Sequence, residues 1–322
     1  MPQSAASRSR ASSGSRQGVR VSRSVLAVPA SKWKMVERGP SSGADLFFLD
    51  LEDAVAPSEK AAARENVVRA IDELDWQGRP AFYRMNSLDT PYWYKDVIEV
   101  VEEAGEGLGL ILVPKVECPE DLHTLDTLLR GVEANANLEP GKVKLEAQVE
   151  TALGIANIEA IARATDRLEA LVFGPGDYAA SIRMPQTSIG TMDEWDEAYP
   201  GHRLSYVMQR IVVAARVGGV RAVDGPVADY RDEEGLRKSC LVARSLGFDG
   251  KWCIHPGQVE TVNEVFSPTE REIEWARKVV SAYEEANVAG SGSISVDGQM
   301  VDAASIKMAQ NTLDLARDVE AE

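Results

Sequence analysis

DLFFLDLEDAVAPSEKAAARENVVRAIDEL, residues 45–74, decides how the rest of the chain is read. Its first half is a short continuous apolar run, Leu46 to Leu49, with the pattern of a strand covered on both faces in a parallel sheet. From Ser58 onward, apolar residues recur at helical spacing among charges, which predicts an amphipathic helix. Between the two stand Asp50, Glu52 and Asp53. Three acids at the end of a buried strand are costly unless a cation, a cationic side chain or ordered water meets them. Carboxylates also favour helix N-termini, so a solvated helix start explains them equally well at this point.

The same strand-then-helix unit recurs along the chain. The runs SVLAV, DLFFLDL, AFYRMN, LGLILVP, VKLEAQV, LEALVFG, VRAVDG and DGKWCI predict eight strands. Amphipathic stretches such as WYKDVIEVVEEAG, ALGIANIEAIARA, LSYVMQRIVVAARVGG and EEGLRKSCLVARSLG predict helices between them. Eight such units over residues 24–266 predict a (β/α)8 TIM barrel. The competing doubly wound sheet lacks its signature, since no GxGxxG follows the first strand. Beyond it, SPTEREIEWARKVVSAYEEANVAG predicts a long helix broken at Ala289-Gly290, followed by a Gly/Ser link, a hairpin and a last helix. This segment, 267–322, is too short for a domain and is expected to act as a lid over a barrel mouth or to reach a neighbouring subunit.

Composition narrows the function. Among 322 residues, 35 are Lys or Arg and 51 are Asp or Glu, a net charge of −16, which disfavours general nucleic-acid binding. No apolar run is long enough for a membrane span. Cys118, Cys240 and Cys253 form no CxxC pair and leave one over, as expected in a reducing, cytoplasmic setting. Residues 1–23 hold five arginines, several serines and no acid, a composition like that of a transit peptide but too poor in apolar residues for an amphipathic helix. A disordered basic tail is expected there.

In a barrel enzyme the chemistry lies at the C-terminal ends of the strands. Read in order, those ends carry Glu52 and Asp53, Arg84 and Asn86, Lys115, Gln148 and Glu150, Asp177, Asp224 and His255. Acids predominate and the chain has only three histidines, so the expected metal is a hard cation, Mg2+ or Mn2+, rather than zinc. Glu150 and Asp177 are the expected direct ligands, although either also suits the start or cap of a helix. SKWKMVERG after the first strand brings Lys32, Lys34 and Arg38 close together, and on sequence grounds alone a solvated helix face accounts for them.

The motifs DLEDAVAPSEKAAAR, YRMNSLDTPYWYKDV, VPKVE, VETALGI, GPGDYAAS, VDGPVADY, GKWCIHPGQ and GQMVDAASIKMAQ, spread from about Ser24 to Ala316, resemble the HpcH/HpaI aldolase and citrate-lyase beta family. Within it they are most similar to the malyl-CoA/β-methylmalyl-CoA lyases. The resemblance implies an oligomer, a homotrimer or homohexamer, with Mg2+ on Glu150 and Asp177 and metal-bound water held by Glu52 and Asp53. It implies that Arg84 contacts the reacting carbonyl and that Asp302 acts as acid/base, often in the adjacent subunit's site. It implies coenzyme A bound by the basic loop Lys32, Lys34 and Arg38, with Ile254 and Pro256 as a bed for adenine.

The implied reaction is retro-Claisen cleavage of L-malyl-CoA or β-methylmalyl-CoA to glyoxylate and acetyl-CoA or propionyl-CoA. Relatives of similar sequence cleave citramalyl-CoA or citryl thioesters, or hydrolyse malyl-CoA, and the stretch TMDEWDEAYPG, residues 191–201, falls where loops shape such pockets. Three other readings stand beside it: a Schiff-base aldolase using Lys115, a carrier-dependent subunit, and a binding module using the basic tail.

Overall fold

Every expected apolar run becomes a strand: β1 Ser24–Pro29, β2 Leu46–Asp50, β3 Ala81–Arg84, β4 Leu108–Val113, β5 Lys144–Val149, β6 Leu168–Phe173, β7 Arg221–Asp224 and β8 Gly250–Cys253. The structure is a computed structural model that describes residues 20–199, 201–288 and 294–321. Each strand runs parallel to the next and β8 returns to β1, closing the barrel. Closure excludes the open doubly wound sheet.

Strand alternation sorts the apolar residues into two layers. Leu46 and Phe48 of β2 fill the barrel with Phe82, Leu112, Val172 and Trp252. Phe47 and Leu49 face the helices, where Phe47 stacks on Trp76 with ring centroids 4.4 Å apart. Full burial of each such side chain contributes roughly 1.5–3 kcal/mol. The same alternation carried past Phe48 and Phe82 aims Asp50 and Arg84 inward at the barrel's C-terminal mouth, and β2–β3 register sets them side by side. The fold therefore delivers the acids after FFLDL to the mouth.

Helices Lys60–Glu73, Trp93–Ala104, Pro119–Asn135, Ser205–Gly218 and Glu233–Leu246 cover the outside. ALGIANIEAIARA, expected as one helix, is two short ones, Ala152–Ala156 and Ile158–Ile161. The break falls at Asn157, whose side-chain amide donates to the Glu117 carbonyl at 2.9 Å. Asparagine readily leaves helical geometry when its side chain bonds to backbone, here to a carbonyl on a neighbouring loop.

At the opposite end, Arg221 of β7 pairs with Glu146 at 2.6 Å and donates to the Ser22 hydroxyl at 2.6 Å. Arg23 pairs with Asp45 at 2.7 Å, so the described part of the basic tail, Arg20–Arg23, belongs to this barrel floor. Residues 1–19 of that tail lie outside the described residues.

Past the barrel come helix Glu270–Val288, the hairpin β9 Ile294–Val296 with β10 Gln299–Val301, and helix Ala303–Glu320. The expected break at Ala289-Gly290 and the start of the Gly/Ser link lie outside the described residues. Ala276, Val279, Val296, Val301 and Ala309 give this segment a small core of its own. Asp314 and Asp318 line one cavity with Arg20 and Arg221, which places the last helix beside the floor of its own barrel. Among the described residues no helix is long and apolar enough to cross a membrane.

Candidate active site

Arg84 is the anchor of the mouth. Its Nε and Nη2 donate to the two Asp50 carboxylate oxygens at 2.7 Å each, a bidentate pair with both partners buried. Its Nη1 lies 2.9 Å from Glu52 Oε2 and 3.3 Å from Asp53 Oδ2. The rings of Phe48 and Trp252 sit beneath the guanidinium at 5.9 and 5.6 Å. Burial opposes ionisation of Asp50, but the Arg84 charge and hydrogen bonds outweigh it and hold the carboxyl below the usual range. Asp50 in turn accepts from the backbone N–H groups of Glu52 and Ala54 at 2.9 and 3.1 Å, fixing the turn that presents Glu52 and Asp53. Buried Lys60 reinforces that turn, its ammonium donating to the Leu51 and Glu52 carbonyls at 2.7 Å.

Across the mouth, Glu150 follows β5 and is buried. It accepts from the Lys115 backbone N–H at 3.0 Å and from the Gln148 side chain at 2.5 Å. No cation pairs with it among the described salt bridges. Burial first, then the charges of Asp177 and Glu52, push its carboxyl up to about 8. Asp177 itself stands exposed in the first turn of the short helix Pro175–Ser181. Glu52 is also shifted upward by burial, even though Arg84 and Lys115 draw it down, and its Oε2 lacks a well-directed hydrogen bond.

The arrangement therefore carries more negative charge than its two cations neutralise. Among the described residues no preassembled cluster of three or more ligating side chains occurs, so a metal here would complete its sphere with water or substrate. A buried carboxylate without a cation, an exposed partner carboxylate and oxygen-only donors fit a small hard divalent ion. Of these acids, Glu150 and Asp177 are the two without a cation among the described salt bridges, which makes them the candidate direct ligands, with Glu52 and Asp53 beyond them.

Lys115 bridges the halves of the site, its ammonium donating to Glu52 Oε1 at 2.7 Å. Burial works against that charge, but Glu52 more than compensates and keeps the amine protonated. A protonated, salt-bridged amine is a poor Schiff-base nucleophile, which weighs against the lysine aldolase reading.

The remaining expected residues fall into three places. Lys32, Lys34 and Arg38 are exposed after β1, Lys32 lying 3.6 Å from Glu59. Ile254 and Pro256 are exposed after β8, the strand paired with β1, so this basic loop and apolar pair share one side of the rim. Asp302 caps helix Ala303–Glu320, accepting from the Ala304 and Ser305 N–H groups at 3.0 Å, and it is exposed. It makes no described contact with the mouth of its own barrel.

Other strand-end residues do not converge. Asn86 turns to Asp96 at 2.6 Å. Asp224 faces outward from the barrel and pairs with Lys251, and His255 stacks on Tyr230 at the rim. Conversely, sequence reasoning gave no role to Asp50, which clamps Arg84, or to Gln148, which bonds both Glu150 and Arg84. Alternation from Phe48 was the available signal for Asp50.

The chain is similar to known proteins over most of its length. The family model described as HpcH/HpaI aldolase/citrate lyase matches residues 23–256. The L-malyl-CoA/beta-methylmalyl-CoA lyase of Cereibacter sphaeroides is 41% identical over 298 residues, 90% of this chain and 93% of that protein. A (3S)-malyl-CoA thioesterase of the same organism is 38% identical, covering 93% of this chain and 96% of its own. Among solved structures, CitE from Mycobacterium tuberculosis in complex with magnesium, acetoacetate and coenzyme A superposes with a TM-score of 0.72 at 27% identity, over 92% of this chain and 98% of that one. With its closed barrel, its acid-ringed mouth and a family match over most of its length, the chain belongs to the HpcH/HpaI aldolase/citrate lyase family.

Proposed function

We propose that the chain is a Mg2+-dependent carbon–carbon lyase that reversibly cleaves L-malyl-CoA or β-methylmalyl-CoA to glyoxylate and acetyl-CoA or propionyl-CoA. The observation that carries this reading is the juxtaposition of the clamped Arg84 fork with the uncompensated Glu150 and Asp177 carboxylates. Mg2+ held by those two carboxylates supplies Lewis acidity to the 2-hydroxycarboxylate and to the glyoxylate it becomes.

The chain's own residues do the rest. Asp50 fixes the guanidinium of Arg84, which donates to the thioester oxygen as negative charge collects there on breaking the C–C bond. Preorganisation by a buried ion pair means that little reorganisation is needed at that moment. Glu52 and Asp53 order the water through which the hydroxyl proton departs. Asp302 of an adjacent subunit then protonates the enolate carbon, or removes a proton there in the condensation direction. Lys32, Lys34 and Arg38 take the phosphates of coenzyme A, and Ile254 and Pro256 support its adenine. This reading makes the protein a cytoplasmic homotrimer or homohexamer with CoA thioesters and glyoxylate as its small-molecule partners.

The test is a thioester screen of the purified chain with Mg2+, following glyoxylate, pyruvate and free CoA separately. Glyoxylate without free CoA supports the proposal. Pyruvate identifies a citramalyl-CoA lyase, and free CoA released in step with malate identifies the thioesterase. Turnover of free thioesters also excludes dependence on a carrier subunit, and Mn2+ in place of Mg2+ compares the two metals.

A further inference from the structure

Lys115 holds a backbone φ of +52°, in the left-handed region that lysine rarely adopts. The turn aims its N–H at Glu150 Oε1, 3.0 Å away, and the next residue, Val116, returns to the ladder by donating to the Gln148 carbonyl at 3.0 Å. Glycine would make this turn without strain. The lysine side chain needs an explanation of its own.

Its position supplies one. Arg84 and Lys115 are the cations that touch the acids of the mouth, and Arg84, 7% exposed with Asp50 on its fork and Glu52 and Asp53 at Nη1, is already assigned to the thioester oxygen. The Lys115 side chain is 33% exposed and spends one of its three N–H bonds on Glu52. An anionic fragment entering between Glu52, Asp53, Glu150 and Asp177 meets like charge on several sides. Lys32, Lys34 and Arg38 are out on the rim, whereas the Lys115 ammonium reaches the buried Glu52.

The geometry points to Lys115 as a substrate-binding residue whose ammonium, resting on Glu52 in the free site, holds the carboxylate of the 2-oxo acid half of the substrate. The inference rests on the lyase reading, because only that reading places an oxo acid in the mouth. The strained turn then serves to project the ammonium across from β4 to β2 while the backbone N–H remains on Glu150.

Oxalate, an unreactive mimic of a 2-oxo acid, tests the binding without turnover. Calorimetric titration with oxalate in saturating Mg2+ is compared for the wild-type chain and Lys115→Met, Lys115→Gly and Lys115→Arg. Lys115→Gly keeps the turn and its N–H, so it isolates the ammonium. Both neutral variants are expected to weaken oxalate by about 10- to 100-fold, the range of one charged hydrogen bond, with Lys115→Arg recovering part of it. Mg2+ affinity, titrated separately, stays level or tightens as a competing cation is lost from Glu52. Unchanged oxalate affinity in Lys115→Gly overturns the proposal, and so does a parallel loss of Mg2+ affinity, which would make Lys115 a positioning residue for the acids. A wild-type chain that binds no oxalate and cleaves no thioester removes the lyase reading, and this inference with it.

Discussion

Gly174 is the space in which the Glu150 carboxylate lies: a β-carbon at Gly174 would collide with Oε2, Cβ and Cδ of that side chain. The strand-to-helix turn after β6 thus packs directly on the buried acid from β5. Gly174→Ala is expected to displace Glu150 and lower both Mg2+ affinity and kcat, the latter by as much as about 100-fold for a shift near 1 Å. Gly176→Ala is the control, since its β-carbon would meet the flexible end of Ile189 at 2.9 Å. Metal titration and kcat on both variants check the difference.

Glu150 should make stability of the metal-free protein pH-dependent. Its carboxyl is raised from 4.5 to about 8 in the folded chain, so between those values the folded state binds more protons than the unfolded one. The contribution is present below about pH 4.5 and is lost as pH rises through about 8. Thermal melts should therefore show Glu150→Gln flattening that decline and melting above wild type at pH 8 without metal. Mg2+ should reverse the order, because the ion requires the ionised carboxylate and Gln cannot supply it.

Arg84 and Asp50 test the clamp from both sides. Arg84→Lys keeps the charge but loses the planar fork, so kcat should fall far more than CoA-ester affinity. Asp50→Asn leaves a buried guanidinium short of its principal counter-charge and should cost about 3–5 kcal/mol in urea unfolding. A variant of Arg84 with only a raised KM would assign that residue to substrate anchoring.

Asp302 is expected to act in a neighbour's site. Asp302→Asn retains an N-cap acceptor, so the chain should fold and bind ligand yet fail to exchange the acyl-CoA α-proton with solvent. Mixing it with Glu150→Gln should restore partial activity once mass measurements show exchanged subunits. No recovery in exchanged mixtures would place Asp302 outside catalysis or over its own barrel.

The strands were legible because a parallel strand buried on both faces carries a continuous apolar run, as in LFFL and LGLILV. The candidate site was legible to the extent that barrel chemistry collects at strand ends, which points to Arg84, Glu150 and Asp177. Which way an end residue faces was harder to read. Arg84 and Asp224 both close four-residue strands, yet Arg84 points in and Asp224 out, because parity depends on barrel register rather than on the strand alone. The break at Asn157 and the turn at Lys115 were hidden for a related reason. Each depends on a partner distant in sequence, the Glu117 carbonyl or the Glu150 carboxylate, that no local pattern announces.

Apart from Asp302, the candidate reactive groups follow five consecutive strands, β2 to β6, while β7, β8 and β1 contribute the outward Asp224, the Tyr230–His255 stack and the exposed basic loop. On the proposed function, bond-breaking and gripping of the coenzyme A handle occupy separate arcs of one circle. Loop exchange on the three-strand arc would retune how the thioester's handle is held while every carboxylate of the other arc keeps its neighbours. A barrel divided this way can diversify its substrates in small steps, each starting from a working catalyst.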